Sequence, residues 1–167
     1  MNIVSKMQAP ALLVAGLVLV AGSPAHATDC TVSGITGLGV PDVTVGSAGT
    51  NTAGACVVVG TVTTTGFGAP DGSARFLVAL PPTALWNKKF VQLGQGGFAG
   101  TLSASTNAAD PGAAAAQNYA TAITDTGHTG SSTDASWALV SPGVPDEAKL
   151  TDYYFRAVHE VAVAAKE

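Results

Sequence analysis

Apolar residues fall in short runs through the middle of the chain and in a stripe at its end. Two runs, Ala74–Leu80 and Phe90–Leu93, flank a break made by Pro81 and Pro82. The second feeds directly into Gly94-Gln95-Gly96-Gly97-Phe98-Ala99-Gly100. Short apolar runs bounded by Pro and Gly predict strands rather than helices. Cys56–Thr64 (CVVVGTVTT) is rich in β-branched residues and predicts a further strand. Val43 and Val45 alternate with Thr44, a weaker strand signal, and Gly46–Gly49 reads as a turn. Thr65–Ser73 reads as a loop in which Asp71-Gly72 has hairpin-turn chemistry. The first part of the chain is therefore expected to form a small antiparallel β layer.

Beyond the glycine cluster, Ala113–Asn118 is a short helix candidate and Tyr119–Ile123 a strand candidate. Trp137–Val140 is a short apolar run stopped by Pro142 and Pro145. The last element is a helix from about Asp146 to Lys166. Leu150, Tyr154, Ala157, Val158, Val161 and Ala165 recur at helical spacing and predict its buried stripe, with Lys149, Asp152 and Arg156 off it. Arg156 is expected to pair with a nearby carboxylate.

Composition narrows the class. The 167 residues suit one domain or part of a larger one, and 47% hydrophobic content is enough for a core. Seven basic against eleven acidic residues leave a net charge of −4, with no basic patch for nucleic acid. Residues 1–27 read as a secretory signal peptide. Lys6 supplies the positive start, Ala11–Ala21 is an apolar run too short to span a bilayer, and Ala25-His26-Ala27 fits the cleavage rule. A membrane anchor is the alternative reading of this stretch. Cleavage before Thr28 would leave a secreted or periplasmic protein with no membrane partner. Cys30 and Cys56, an even count in an exported chain, predict a disulfide, with two buried free thiols as the other reading. Two cysteines without a nearby histidine pair make no zinc site.

The candidate chemistry centres on Gly94–Gly100. A glycine cluster straight after a strand lets bare backbone approach another segment or a ligand. It reads either as a tight strand-exit turn or as a loop whose N–H groups meet negative charge. Nucleotide-phosphate binding is disfavoured, because no helix pattern follows and the third glycine is misplaced. Asp125 precedes His128 by three residues on a predicted loop. His128 is read as structural or site-lining rather than as a general base. His159 and Glu160 read as a helix-face pair, Trp86 as core, and Asn87 as a source of turn hydrogen bonds.

The stretch FLVALPPTALWNKKFVQLGQGGFAG, Phe76–Gly100, resembles the tannase/feruloyl esterase family of secreted α/β-hydrolases. Ala122–His128 and Tyr154–Val161 agree with that resemblance in the same order. It implies an α/β fold: an N-terminal β layer followed by the opening strands and first helix of an incomplete hydrolase sheet. It implies hydrolysis of galloyl- or feruloyl-type aromatic esters through a serine acyl-enzyme. No cofactor is implied, and no metal in this chain, since the family's calcium lies in a lid domain. For the oxyanion hole the resemblance implies a backbone N–H donor in the glycine loop, Gly96 or Gly97.

The family's nucleophile follows a cysteine in a Gly-Cys-Ser-x-Gly-Gly turn, and its acid and histidine come later still. These 167 residues contain no Gly-x-Ser-x-Gly and no Cys-Ser pair. The expectation is therefore that residues 28–167 are the N-terminal part of such a hydrolase, truncated before the nucleophile and inactive alone, with no catalytic side chain of its own. Missing strands should leave an open sheet edge and an aggregation-prone chain. The rival reading is a self-contained small exported β-rich binding or surface protein stapled by Cys30–Cys56.

Overall fold

The computed structural model describes residues 29–102, 114 and 117–167. The expected signal peptide and half of the expected Ala113–Asn118 helix lie outside the described residues. Among the described residues, no helix is long and apolar enough to cross a membrane.

The frame is one five-stranded mixed sheet. Its strands are β1 (Val43–Thr50), β2 (Cys56–Thr64), β3 (Gly72–Leu80), β4 (Phe90–Leu93) and β5 (Ala120–Thr124), in the order β1-β2-β3-β5-β4. β1, β2, β3 and β5 pair antiparallel in succession, while β4 pairs parallel to β5 at the edge. The expected antiparallel layer is thus β1–β3, and it continues directly into the sheet that carries the parallel pair. A two-stranded hairpin, β6 (Leu139–Ser141) and β7 (Val144–Pro145), stands apart.

Two turn expectations are corrected. Gly46–Gly49 is not a turn: β1 runs through it, and a register shift between Val45 and Ser47 places Gly46 in a bulge. Asp71-Gly72 is not the hairpin tip either. Gly72 already pairs with Thr64, and the turn is made at Gly66–Gly68, where Gly66, Phe67 and Gly68 all have positive φ.

Strand alternation sends Val58, Val62, Ala74, Phe76, Val78 and Ala122 to one face, where they form a core with Ala157 and Val161. Each buried valine contributes about 1.5–3 kcal/mol relative to an exposed one. Gly60 sits in mid-strand because a Cβ there would press on the Phe76 ring, at 2.6 Å from its tip, from the neighbouring strand. Short helix α1 (Val32–Thr36), capped by the Thr31 hydroxyl, brings Ile35 against the same core. The Cys30–Cys56 disulfide ties the segment ahead of α1 to the start of β2.

The C-terminal helix forms as its pattern predicts but turns only part of the expected stripe inward. It comprises α2 (Glu147–Thr151), a π-helical turn (Asp152–Arg156) and α3 (Ala157–Ala164), with Asp146 as N-cap accepting from the Lys149 N–H. A π turn takes one extra residue per turn, so the stripe read at α spacing loses phase across it. Ala157 and Val161 are buried, but Tyr154 is 72% exposed and Val158 lies at the surface. Asp152 and Arg156, expected off the stripe, are fully buried instead.

Candidate functional site

The site lies where the two parallel strands end. In open α/β sheets, ligands bind outside the carboxyl ends of parallel strands. β4 and β5 run side by side, Leu93 opposite Ile123, and both release loops at the same edge. β4 leads into Gly94–Gly100, and β5 into Asp125–His128. The two loops are sewn together: the Gly100 N–H donates to the Asp125 carbonyl at 3.2 Å, and the Gly130 N–H to the Gly100 carbonyl at 3.0 Å. A Cβ at Gly100 would meet the Gly130 backbone at 2.7–3.0 Å, so glycine permits this approach.

Within the first loop, the Ala99 N–H donates to the Gly96 carbonyl at 3.1 Å and closes a tight turn. Gly97 has φ +58, and a Cβ there would overlap the Ser132 carbonyl oxygen. Glycine meets both conditions at that position. The next amide, Phe98 N–H, donates to the same Ser132 carbonyl at 2.8 Å. The Gly97 carbonyl accepts from the Tyr153 hydroxyl at 3.1 Å. A trans peptide points its C=O and N–H in opposite directions. With the Gly96 carbonyl turned inward to Ala99, the Gly97 N–H faces out of the turn. Gly96 and Gly97 are exposed, and neither amide donates to a protein acceptor among the described residues. Gly96 has open space where a Cβ would stand, so only Gly97 is confined by its surroundings.

Asp125 holds the floor. It is 2% exposed, accepts from the Arg75 N–H at 3.0 Å and the Gly127 N–H at 3.1 Å, and pairs with Arg75 Nε at 2.7 Å. Its carboxylate is thus spent on β3 and its own turn and does not face His128 as a catalytic partner. His128 is buried and stacks on Trp137 with ring centres 3.7 Å apart and planes 14° apart. Neither ring nitrogen of His128 has a well-aligned hydrogen-bond partner among the described residues. Burial lowers its pKa below the ordinary histidine value; the carbonyls of Phe98 and Thr126 and the Asp125 charge oppose the shift without cancelling it. This fits a site-lining ring rather than a charged one.

Other expected residues fall away from the site. His159 is exposed and sits edge-on to Phe67 at 6.4 Å, and Glu160 follows it on α3. Asn87 makes its turn bonds, accepting from the Lys89 N–H at 2.9 Å and donating to the Gln117 carbonyl at 3.2 Å. Trp86 is not core. It is 37% exposed ahead of the edge strand β4, with the Lys88 ammonium 4.8 Å from the centre of its ring, and its indole donates to the Lys89 carbonyl at 3.0 Å. Sequence reading did not single out Ser132, Trp137 or Tyr153 as site residues. Ser132 and Tyr153 reach the glycine loop, and Trp137 reaches His128 and Tyr153, only through tertiary folding.

Comparison with known proteins gives two findings. A family model described as tannase and feruloyl esterase matches residues 56–167. Among solved structures, the chain is similar to feruloyl esterase B from Aspergillus oryzae, with 22% identity and TM-score 0.57 over 76% of this chain and 26% of that one. It is also similar to tannin acyl hydrolase from Aspergillus niger, with 20% identity and TM-score 0.57 over 82% of this chain and 28% of that one. The chain therefore spans just over a quarter of the length of these structures, and at this identity the likeness shows the fold. No curated protein matches the chain.

Proposed function

The chain belongs to the tannase and feruloyl esterase family, and on that membership we propose that it is the oxyanion-binding part of a carboxylic-ester hydrolase. In this reading the substrate is an ester of an aromatic acid, of the galloyl or feruloyl type. A serine attacks the ester carbonyl, the carbonyl oxygen becomes an anion, and backbone N–H groups of Gly96 and Gly97 receive it. Donors fixed before the reaction stabilise such charge without reorganising as it develops.

The observation that carries this reading is the Gly97 amide. It faces out of a closed turn at the carboxyl ends of two parallel strands, on a backbone fixed by Ser132 and Tyr153. Gly97 is the stronger donor candidate of the two, because Gly96 lacks comparable confinement. Within the 167 residues there is no Gly-x-Ser-x-Gly and no Cys-Ser pair. The serine, the acid and the histidine are accordingly proposed to come from outside these residues. His128 lines the site, and Asp125 braces it.

The test is a chimera of feruloyl esterase B from Aspergillus oryzae with residues 56–167 in place of its matching segment. Hydrolysis of a p-nitrophenyl ester by the chimera, with kcat falling on Gly97→Ala, whose Cβ overlaps the Ser132 carbonyl oxygen and so displaces the Gly97 N–H, by up to the roughly 10²–10³-fold cost of losing one oxyanion donor, supports the reading. An unchanged kcat in that variant contradicts it. The oxidised 167-residue chain alone is expected to hydrolyse the same ester no faster than buffer.

A further inference from the structure

We infer that Tyr153 is a positioning residue that anchors the peptide between Gly97 and Phe98, and with it the turn that carries the neighbouring Gly97 N–H. The starting point is the hold of the loop on the rest of the fold. In the four-residue turn closed from Ala99 to Gly96, the facing of the middle peptide is tied to φ at the third residue, and Phe98 does not have a positive φ. The turn thus settles its own facing but not its anchorage, since glycine at its second position leaves the chain there free to pivot. Something outside the turn must hold it.

Two groups do so from opposite sides of one peptide. The Ser132 carbonyl accepts from Phe98 N–H at 2.8 Å, and the Tyr153 hydroxyl donates to the Gly97 carbonyl at 3.1 Å. A flip of this peptide breaks both bonds at once. The Tyr153 ring is held in turn by Trp137, with ring centres 5.0 Å apart, and by His128 at 6.0 Å.

The π turn is what brings Tyr153 there. Counting back four residues from buried Ala157 at α spacing places residue 153 on the core face. The extra residue in Asp152–Arg156 gives that inward place to Asp152, which is fully buried, and turns Tyr153 toward the glycine loop. Arg156 locks the turn from the other side. Its Nε meets the Asp152 carboxylate at 2.6 Å, and its other nitrogens donate to the Gly66 and Pro70 carbonyls at 3.1 and 3.0 Å. Irregular π turns in helices are often found at functional sites.

For its functional consequence this inference rests on the oxyanion reading of Gly97; its geometry does not. The test is amide hydrogen exchange followed by NMR on the full oxidised chain, comparing wild type with Tyr153→Phe, which keeps the ring and its stacking. Loss of one hydrogen bond predicts that Phe98 N–H exchanges roughly fivefold faster. The Gly97 amide resonance should move, while the Val58 and Val78 amides of the central strands stay unchanged. Equal Phe98 exchange in the two proteins overturns the inference. So does a uniform acceleration that includes Val58 and Val78, which would mark a merely structural role.

The oxyanion reading can fail separately. Faster Phe98 exchange in Tyr153→Phe, together with full turnover in the Gly97→Ala chimera, keeps the positioning role and removes the oxyanion one. The reverse pair of results does the opposite.

Discussion

Asp152 and Arg156 meet at 2.6 Å on one turn of helix, with side chains 1% and 0% exposed. Thr64 also donates to this carboxylate, at 2.9 Å. The pair therefore joins three parts of the fold: the helix, the end of β2 and the β2–β3 hairpin tip. Removing one partner strands the other charge in the core. Asp152→Ala is expected to cost about 3–5 kcal/mol in denaturant unfolding. Asp152→Leu with Arg156→Met should cost clearly less than the sum of the single losses, since no unpaired ion remains. Additive losses would mean that the two groups do not depend on each other.

Two glycines make room for this pair. A Cβ on Gly72 would overlap the Asp152 carboxylate and come within 3.0 Å of an Arg156 nitrogen. A Cβ on Gly127, at φ +86, would overlap the Asp152 side chain. Gly72→Ala and Gly127→Ala should each cost more than about 1 kcal/mol, measured as a shift in the unfolding midpoint. Gly49→Ala, where the added Cβ meets nothing within 4 Å, should be close to neutral.

Acid should act on the site through His128. Burial holds its folded-state pKa below the ordinary 6.5. As pH falls, the unfolded chain takes up this proton before the folded one does. Stability from this group is therefore complete above the unfolded value near 6.5, falls as pH drops below it, and levels off below the folded pKa. His128→Phe, which preserves a ring against Trp137, should flatten the pH dependence of Tm just below pH 6.5. An unchanged slope would assign the dependence to other groups.

Reduction of Cys30–Cys56 should also be costly. The two residues are 26 apart in sequence, and opening a loop of that size costs about 3 kcal/mol in the chain-entropy account. A comparison of Tm with and without reductant measures it; equal values would show that the bridge adds nothing.

Local chemistry made much of the fold legible in the sequence. Cys56–Thr64 and Phe90–Leu93 are strands with the expected bounds, because β-branched and aromatic runs between breakers have few other uses. The last helix begins at Asp146 as expected, and the structure makes that residue its N-cap. Its buried face was legible after the π turn, at Ala157 and Val161, but not within it, because the turn shifts every position before it and nothing in Asp-Tyr-Tyr-Phe-Arg announces it. Gly46–Gly49 misled for a related reason: a glycine pattern that ordinarily marks a turn here serves a bulge. At the site, the glycine loop was visible as a sequence. Which glycine is confined was not, because Ser132 and Tyr153 reach it from 35 and 56 residues away.

The most direct test of the account is the NMR signal of the Gly97 amide proton in the esterase chimera, before and after reaction with a p-nitrophenyl alkylphosphonate. That reagent leaves a tetrahedral, negatively polarised oxygen on an active-site serine, in place of the ester oxyanion. The account predicts that the Gly97 amide proton moves downfield on modification, as a hydrogen bond to that oxygen requires. A modified serine with an unmoved Gly97 amide, the shift appearing on another backbone N–H instead, would contradict it.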